Sequence, residues 1–361
     1  MKKILTLIAA PALVCMLVCL QVGAQITTPR TPSPAATISQ TIGISKVTVD
    51  YSRPAVRNRE VWGALIPYGW NVQGFGNGET APWRAGANEN TVITFSHPVK
   101  VQGTSVPAGT YGLFFVINAD NSGEVILSKD TKSWGSFFYN PKQDQLRAPI
   151  QIRQNVHTEW LTYDFMGLNK TSGELVLNWE KKQFPVKLEF AVDEIVMANA
   201  EEELKGTTGF IPQGFISAAN YALQNNINQE KALTWIDQAI NQQRNFTTLR
   251  IKAGLLRQTG KAEEAEKLLA DAMTVATEVE LNAYGYQLLG QGKHDEAIRI
   301  LAMNTERFPK SANAWDSLGE AYATKGDKNS AIKHFKKSLS LNPPANVKAN
   351  SEKFLKQYGA M

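Results

Sequence analysis

Arginine, tryptophan and carboxylate side chains are concentrated between residues 52 and 90 and again between residues 134 and 147. A guanidinium group binds carboxylates through paired hydrogen bonds and stacks on aromatic rings. We expect one cluster at an end of a β-domain, formed by Arg53, Arg59, Trp83, Arg84, Asn88, Glu89, Trp134, Asp144 and Arg147. Two interpretations stay open: a carbohydrate or small-ligand site with Trp83 and Trp134 stacked on a ring, or ion pairs and buried tryptophans that fasten the long loop to the strands.

Known catalytic patterns are absent from the sequence. The four histidines do not have the spacing of an H-E-x-x-H zinc site, and neither a G-x-S-x-G elbow nor a phosphate-binding G-x-x-x-x-G-K-[ST] loop occurs. His157 and Glu159 are the one candidate acid–base pair, because residues two apart share a strand face. A hydrolase would need Glu89 and Asp144 to act together, with carboxyl groups roughly 5 to 9.5 Å apart. We expect no catalytic residue, no metal and no cofactor.

The residues around this cluster alternate in polarity with the period of β-strands. Val47, Val49 and Tyr51 alternate with polar residues, and the stretch from Val186 to Val192 repeats the pattern. Such alternation predicts strands with one buried face. Many short strands separated by turn residues predict an antiparallel sandwich over residues 41–195 rather than a parallel sheet.

Several short stretches of this half resemble a domain-of-unknown-function (DUF) family of exported bacterial proteins. They are Ser52-Arg53-Pro54, Trp62-Gly63, Trp83 to Glu89, Pro107 to Tyr111, and Trp134-Gly135. The resemblance spans about residues 40–195. It implies a β-rich fold, followed in some members by a repeat domain. It implies no activity, so both interpretations of the cluster stay open.

From residue 212 onward the hydrophobic pattern has the period of helices, and it repeats. Small residues recur at intervals of 33, 32 and 34, and a large apolar residue follows each of them by four positions. These residues are Ala232, Ala265, Ala297 and Ala331, followed by Ile236, Leu269, Leu301 and Phe335. Residues 315–343 also fit the spacing W-x2-L-G-x2-Y…A-x3-F…P. Residues 213–345 therefore resemble the tetratricopeptide repeat (TPR) family, which implies helix pairs stacked into a superhelix.

The predicted fold class is an α+β multidomain protein with an all-β antiparallel sandwich followed by an all-α TPR-like superhelix. A helical bridge over residues 196–211 joins the two parts. Four repeats are expected near residues 213–245, 246–277, 278–311 and 312–345. Residues 346–361 are expected to form a helix that covers the last apolar face.

The family resemblance implies that the first helix of each repeat lines a concave groove for a protein or peptide partner. The matching positions are Ser217, Tyr221, Gln224, Arg250, Arg257, Asn282, Tyr286, Asn313, Asp316 and Glu320. Arg250 and Arg257 are seven residues apart and share a helix face, so they could hold a partner's carboxylate. Tyr221 and Tyr286 could serve as aromatic anchors. A groove filled by the β-domain of the same chain is the alternative.

The N-terminal segment has the pattern of a secretory signal peptide. Two lysines precede an apolar run from Ile4 to Leu20, and small residues at Val22 and Ala24 predict cleavage before Gln25. An uncleaved anchor is the alternative. Residues 25–40 contain three prolines and are expected to form an extended linker. The chain is therefore expected to be exported and to have no membrane span after cleavage. The periplasm is the expected location, and secretion or outer-membrane association stays open.

Charge gives no indication of a nucleic-acid partner. The chain has 38 basic and 33 acidic residues, which are spread over both halves without a basic stripe. Both cysteines, Cys15 and Cys19, lie in the predicted signal peptide. The mature chain would then use no thiol chemistry. These observations favour a non-enzymatic interaction protein whose repeats bind a polypeptide and whose β-domain is a second binding module.

Overall fold

The computed structural model describes residues 32–361. Contacts divide the chain after Phe190 into two compact units, a β unit and a helical unit. The predicted signal peptide and the start of the predicted linker lie outside the described residues. Within the described range, no helix has the length and apolar character needed to cross a membrane.

The β unit contains twelve described strands in three antiparallel sheets. The six-stranded sheet has the order β1-β2-β5-β8-β9-β10, the four-stranded sheet has the order β11-β12-β6-β7, and β3 pairs with β4. The strands are β1 (Ala35–Ile42), β2 (Ser45–Ser52), β3 (Asn71–Val72), β4 (Thr80–Ala81), β5 (Val92–Phe95), β6 (Val99–Val101), β7 (Thr104–Val106), β8 (Gly109–Ile117), β9 (Ser122–Ser128), β10 (Asp144–Gln151), β11 (Arg153–Met166) and β12 (Ser172–Glu189).

The two larger sheets pack face to face through aromatic side chains. The ring centroids of Phe115 on β8 and Phe184 on β12 are 5.3 Å apart. Those of Tyr51 on β2 and Tyr163 on β11 are 4.8 Å apart, and the Tyr51 hydroxyl accepts the backbone N–H of Tyr163. The alternating residues Val47 and Val49 are buried between the sheets, as period-two patterning requires. The antiparallel sandwich predicted for this part of the chain is confirmed.

The interpretation of residues 35–40 as part of a linker is wrong. They belong to β1, which pairs with β2 along its whole length, from Ala35 opposite Ser52 to Ile42 opposite Ser45. Pro32 and Pro34 precede this strand, so neither removes a hydrogen bond from the ladder. The Thr, Ile and Ser residues that follow them fit an edge strand well. The composition of residues 25–40 therefore predicts a linker that is too long at its C-terminal end.

The helical unit contains ten helices in the described chain. They are α1 (Val192–Glu203), α2 (Pro212–Asn225), α3 (Gln229–Gln242), α4 (Phe246–Gln258), α5 (Ala262–Val275), α6 (Glu278–Gly290), α7 (His294–Arg307), α8 (Ala312–Lys325), α9 (Lys328–Leu339) and α10 (Ala345–Gln357). The pairs α2/α3, α4/α5, α6/α7 and α8/α9 coincide with the four repeats. The all-α part of the predicted fold class is confirmed.

Helix α1 differs from the predicted boundary between the two parts. It begins at Val192, inside the range assigned to the sandwich, and β12 ends before it at Glu189. Met197 of α1 packs in one core cluster with Ala218 of α2 and Trp235 of α3. The first helix is therefore part of the helical unit rather than a separate bridge.

Small residues allow the helices of each pair to approach closely. The four repeat alanines, from Ala232 to Ala331, are completely buried at 0% exposure. A Cβ added at Gly285 of α6 would lie 2.5 Å from Cγ of Leu301 on α7. A Cβ at Gly319 of α8 would lie 2.8 Å from Cδ1 of Phe335 on α9. The axes of these pairs are thus as close as a residue without a side chain permits.

Candidate functional site

A cavity of about 580 Å³ opens in the β unit beside the long connection between β2 and β5. Its wall includes Arg57, Arg59, Trp83, Arg84, Asn88, Phe115 and Trp179. Within the described part of the chain, no aspartate or glutamate lines this cavity. The cavity therefore brings together four residues of the predicted cluster, Arg59, Trp83, Arg84 and Asn88, and adds a third arginine that the sequence analysis did not select.

Arg84 is held rigidly in the cavity wall. Its Nη1 donates a 2.7 Å hydrogen bond to the carbonyl oxygen of Asn88, and its guanidinium lies 5.0 Å from the ring centroid of Phe137. On another side, the guanidinium lies against the backbone of Gly135: a Cβ added there would lie 2.4 Å from Cζ of Arg84, so a larger residue would displace the guanidinium. Burial lowers the pKa of Arg84, because desolvation disfavours its charged form.

Arg59 is oriented by the turn that carries it. Its Nε donates to the carbonyl oxygen of Val56 at 3.0 Å, and its Nη2 donates to that of Ala55 at 2.5 Å. Arg57 lies on the same turn, with a left-handed backbone at φ 51°. The Arg57 backbone N–H donates to the carboxylate of Glu159 on β11 at 2.9 Å. The sandwich thus fixes the turn that carries both arginines.

Trp83 belongs to an aromatic layer between the loop and the sheets. Its ring stacks on that of Trp179 with centroids 5.8 Å apart, and it makes an edge contact with Trp62 at 5.7 Å. Its backbone also pairs with Phe115 of β8. Since one face of Trp83 already lies against Trp179, this tryptophan has the structural role considered in the sequence analysis.

Asp144 and Arg147 form a second, separate group with aromatic neighbours. Asp144 Oδ2 accepts hydrogen bonds from Arg147 Nε at 2.5 Å and from the Tyr139 hydroxyl at 2.6 Å. The Arg147 guanidinium lies 4.7 Å from the ring centroid of Trp70. Burial, then the hydrogen bond to Asp144, raises the pKa of Tyr139 well above its ordinary value. This arrangement fastens the long loop to the start of β10.

Only four of the nine residues expected in one cluster line the cavity. Arg53 lies at β11, where its Nε donates to the Leu161 carbonyl at 3.0 Å and its Nη2 donates to Thr162 Oγ1 at 2.6 Å. Trp134 is 52% exposed and, like Glu89, is not among the residues lining the cavity. The proposed pairing of Trp83 and Trp134 across a sugar ring has no support, because only Trp83 lies in the cavity wall.

The lining of the described cavity does not support the hydrolase hypothesis. Glu89 and Asp144 both lie outside the cavity wall, and Asp144 is engaged by Arg147 and Tyr139. His157 and Glu159 do meet, with Nε2 and Oε2 3.3 Å apart, but both side chains are about half exposed. The backbone hydrogen bond from Arg57 is the first cause that lowers the pKa of Glu159. The surface pair thus holds the Arg57 turn.

In the helical unit, three helices share one face that is connected by hydrogen bonds. The Tyr286 hydroxyl on α6 donates to Glu320 on α8 at 2.6 Å. Asn350 on α10 donates through Nδ2 to Glu320 at 2.5 Å and to Asp316 at 2.8 Å. Ser351, also on α10, donates to the other Asp316 oxygen. Groove positions of successive repeats are therefore direct neighbours.

Helix α10 closes one end of this face. Asp316 is only 5% exposed, so it is not available to a partner while α10 is in place. Burial raises the pKa of Asp316, and the hydrogen bonds from Ser351 and Asn350 oppose that rise. Sequence analysis missed these two donors, although Asn350 follows Asp316 by 34 residues. The repeat spacing could have identified Asn350 as a groove position of an incomplete fifth repeat.

Arg250 and Arg257 occupy different environments around one tyrosine. The Arg250 guanidinium is half-buried and lies 5.8 Å from the ring centroid of Tyr284 on α6. Desolvation lowers its pKa. Arg257 is exposed and pairs with Glu266 on α5 at 2.5 Å. Burial raises the pKa of Tyr284, and both arginines oppose that rise. Both guanidinium groups are therefore close enough to influence the same hydroxyl group.

The side chains at the remaining predicted groove positions differ in how accessible they are to a partner. Tyr221 donates to Asp193 on α1 at 2.7 Å, and burial followed by this bond raises the pKa of Tyr221 to about 12. Ser217 and Gln224 are exposed, Asn282 and Asn313 are half-buried, and Tyr286 is 38% exposed. The accessible part of the face thus extends over α2, α4 and α6, with Asn313 at the start of α8.

Family models match one segment of the β unit and one segment of the helical unit. Residues 33–188 match the model of a "Protein of unknown function (DUF2911)", and residues 312–345 match a tetratricopeptide repeat model. The two family resemblances seen in the sequence are therefore confirmed. The first match gives no activity.

Individual relatives are similar over part of the chain. Superkiller complex protein 3 of Mus musculus and that of Homo sapiens are each 41% identical over 59 residues, or 16% of this chain. The chain spans only 4% of the length of these relatives. The solved TPR protein YrrB, described as having an unusual peptide-binding site, is 19% identical at a TM-score of 0.27, covering 45% of this chain and 84% of YrrB. Pseudomonas aeruginosa pilF is 19% identical at a TM-score of 0.27, covering 42% and 71%.

Replacement of Ser351 by alanine tests the closure of the face by α10. We expect Ser351→Ala to lower the free energy of unfolding at pH 7 by about 1 to 3 kcal/mol, because buried Asp316 loses a donor. Ser340→Ala is the matched control, since its hydroxyl makes an exposed bond within its own helix turn. The control should change stability by at most about 0.5 kcal/mol. Urea unfolding followed by helical circular dichroism measures both.

The loss of stability caused by Ser351→Ala should become smaller as pH falls. The Ser351 bond stabilises the charged carboxylate, so its contribution is present above the pKa of Asp316 and is lost as pH falls through it. Burial places that pKa above the ordinary value of 3.8. The stability difference between wild type and Ser351→Ala should therefore shrink between pH 7 and pH 4. A difference that stays constant over this range would contradict the assignment.

Proposed function

We propose that the helical unit binds a segment of another polypeptide along the face formed by α2, α4 and α6. Tetratricopeptide repeats indicate a protein-interaction role. The contact of Arg250 on α4 with the Tyr284 ring on α6 carries the proposal, and the hydrogen-bonded row from Tyr286 through Glu320 to Asn350 continues the same pattern over α8 and α10. That row requires the groove positions of adjacent first helices to lie on one continuous surface. A continuous surface several helices wide is what an extended or helical peptide needs for binding.

The partner segment should bear a carboxylate near Arg257. The ion pair between Arg257 and Glu266 is exposed on both sides, and such pairs contribute only about 0 to 1 kcal/mol. A partner carboxylate could therefore replace Glu266 at little cost. Arg250, half-buried over Tyr284, would add a second positive charge from the same helix face. Tyr286 would supply partly exposed aromatic surface beside these charges.

The β unit is proposed as a second binding module of the same protein. Its cavity is large enough for a small ligand, since ligand pockets usually measure about 300 to 1,000 Å³. A carbohydrate stacked on Trp83 and Trp134 is not part of this proposal, because Trp134 does not line the cavity.

Export and periplasmic location are part of the proposal and rest on the pattern of residues 1–24 alone. The mature protein isolated from cells should begin at Gln25. Replacement of Ala24 by arginine should block cleavage, because the site requires a small residue there. N-terminal sequencing of the two proteins distinguishes them. A wild-type protein that keeps Met1 or its neighbours would contradict export by this route.

Charge reversal on α4 tests the proposed groove. We expect Arg250→Glu/Arg257→Glu to reduce capture of wild-type partners from an extract of the source cells by about tenfold or more. Like charges across an interface cost several kcal/mol, and 1.4 kcal/mol is tenfold in affinity. Quantitative mass spectrometry of the captured proteins measures the change.

A matched control carries the same change in net charge elsewhere. Lys267→Glu/Lys336→Glu alters exposed residues on the second helices α5 and α9. This control should retain the wild-type partners, and circular dichroism should show that all three proteins are equally helical. Recovery of the same partners at wild-type yield by the α4 variant would overturn the proposed groove.

A further inference from the structure

We propose that the cavity of the β unit binds a small organic anion, a carboxylate or phosphate joined to an apolar group. Arg57, Arg59 and Arg84 line the cavity, whereas no aspartate or glutamate within residues 32–361 does so. Three positive charges facing one concave space attract anions and raise their local concentration. This inference concerns the first unit only and does not depend on the proposed groove.

Arg84 provides the main binding group. Among the described residues, its guanidinium has one hydrogen bond, to the carbonyl oxygen of Asn88, and it packs against the Phe137 ring and the backbone at Gly135. Arginine has five N–H donors in a fixed fork, so most of its donors remain for a ligand. Desolvation lowers the pKa of Arg84, with no carboxylate contributing to the shift. An anion would therefore supply the counter-charge that this partly buried cation lacks.

The position of Arg84 is fixed before any ligand arrives. Gly135 has a left-handed backbone at φ 65°, and a Cβ there would collide with the guanidinium. The ring of Phe137 covers another side at 5.0 Å. A cation held in one geometry loses little conformational entropy on binding.

Arg59 and Arg57 extend the positive surface along one turn. Arg59 uses its Nε and Nη2 to bind backbone carbonyl oxygens, which leaves Nη1 as a donor with a fixed direction. Arg57 is exposed, and the turn that carries it is tied to Glu159 through backbone hydrogen bonds. The two residues are therefore suited to neutralise charge near the cavity mouth.

The rest of the wall favours a ligand with an apolar body. Trp83 contributes aromatic surface and Ile66 adds an aliphatic side chain, whereas the two other aromatic residues, Phe115 and Trp179, are almost completely buried. The buried indole N–H of Trp179 has no acceptor within the described part of the chain. A volume of about 580 Å³ is also much larger than a bare inorganic ion requires. These features indicate an organic acid rather than free phosphate.

Isothermal titration of the mature chain with four probes tests the proposal. The probes are phenylacetate, phenyl phosphate, inorganic phosphate and the neutral analogue 2-phenylethanol. We expect at least one of the two aromatic anions to bind about tenfold or more tightly than the neutral analogue and than inorganic phosphate. The tighter of the two aromatic anions identifies the acid group. Affinity should fall with added salt, since the attraction is electrostatic.

Arg84→Gln should weaken anion binding by about tenfold or more, because it removes the charge and keeps a polar side chain of similar length. Arg153→Gln is the control: Arg153 pairs with Glu174 between β11 and β12 and is not among the cavity residues. This control should bind like wild type. Arg57→Gln, at an exposed position, provides a second test if Arg84→Gln is unstable, and it should weaken binding by about threefold.

Two outcomes would overturn the anion site. The first is that neither aromatic anion binds better than 2-phenylethanol. The second is that folded Arg84→Gln, or Arg57→Gln in its place, binds the anions as tightly as wild type. Neither outcome would affect the groove on α4, because capture of a polypeptide partner is measured on the other unit.

Discussion

The close approach of paired helices is the constraint on which the helical unit depends. Each pair meets at positions where the side chain is small or missing, such as Ala265 and Gly285, and the opposing large residue fills the space. Because this contact fixes the rotation of both helices, it also decides which residues of the first helix face outward on the groove side. The row of Tyr286, Glu320 and Asn350 is a consequence of that fixed rotation. Interaction surface and core packing are therefore set by the same residues.

In the β unit, an aromatic layer has the corresponding role. Trp83 and Trp179 stack at the base of the cavity, and Trp62 anchors the long loop against both. This packing turns an irregular connection of nearly forty residues into a rigid wall. Arginines carried on that wall are held by backbone carbonyl groups and rings rather than by carboxylates, as Arg59 and Arg84 show. Within residues 32–361, no aspartate or glutamate of the cavity wall compensates this positive charge.

Sequence patterns predicted the features that depend on periodicity. The repeat alanines identified the helix pairs, and alternating valines such as Val47 identified the sandwich, because burial imposes a regular spacing in both. Contacts between residues of different loops could not be predicted, because they leave no regular spacing in the sequence. Asp144 and Arg147 were expected beside Arg84, yet Tyr139 holds them in another group. The composition of residues 25–40 predicts a linker, yet residues 35–40 form the first strand of a hairpin with β2, because cross-strand pairing overrides composition there. The burial of Asp316 arises from a helix outside the four complete repeats.

Chemical denaturation of two glycine variants tests the central constraint most directly. Gly285→Ala would place Cβ 2.5 Å from Cγ of buried Leu301, whereas Gly290→Ala, at the end of the same helix, would meet no atom within 4 Å. Overpacking costs about 1 to 3 kcal/mol, which exceeds the helix-propensity gain of up to about 1 kcal/mol from alanine. We therefore expect Gly285→Ala to unfold at lower denaturant than wild type and Gly290→Ala to unfold at equal or higher denaturant. Equal or greater stability of Gly285→Ala would show that the helices of the pair are not in close contact there.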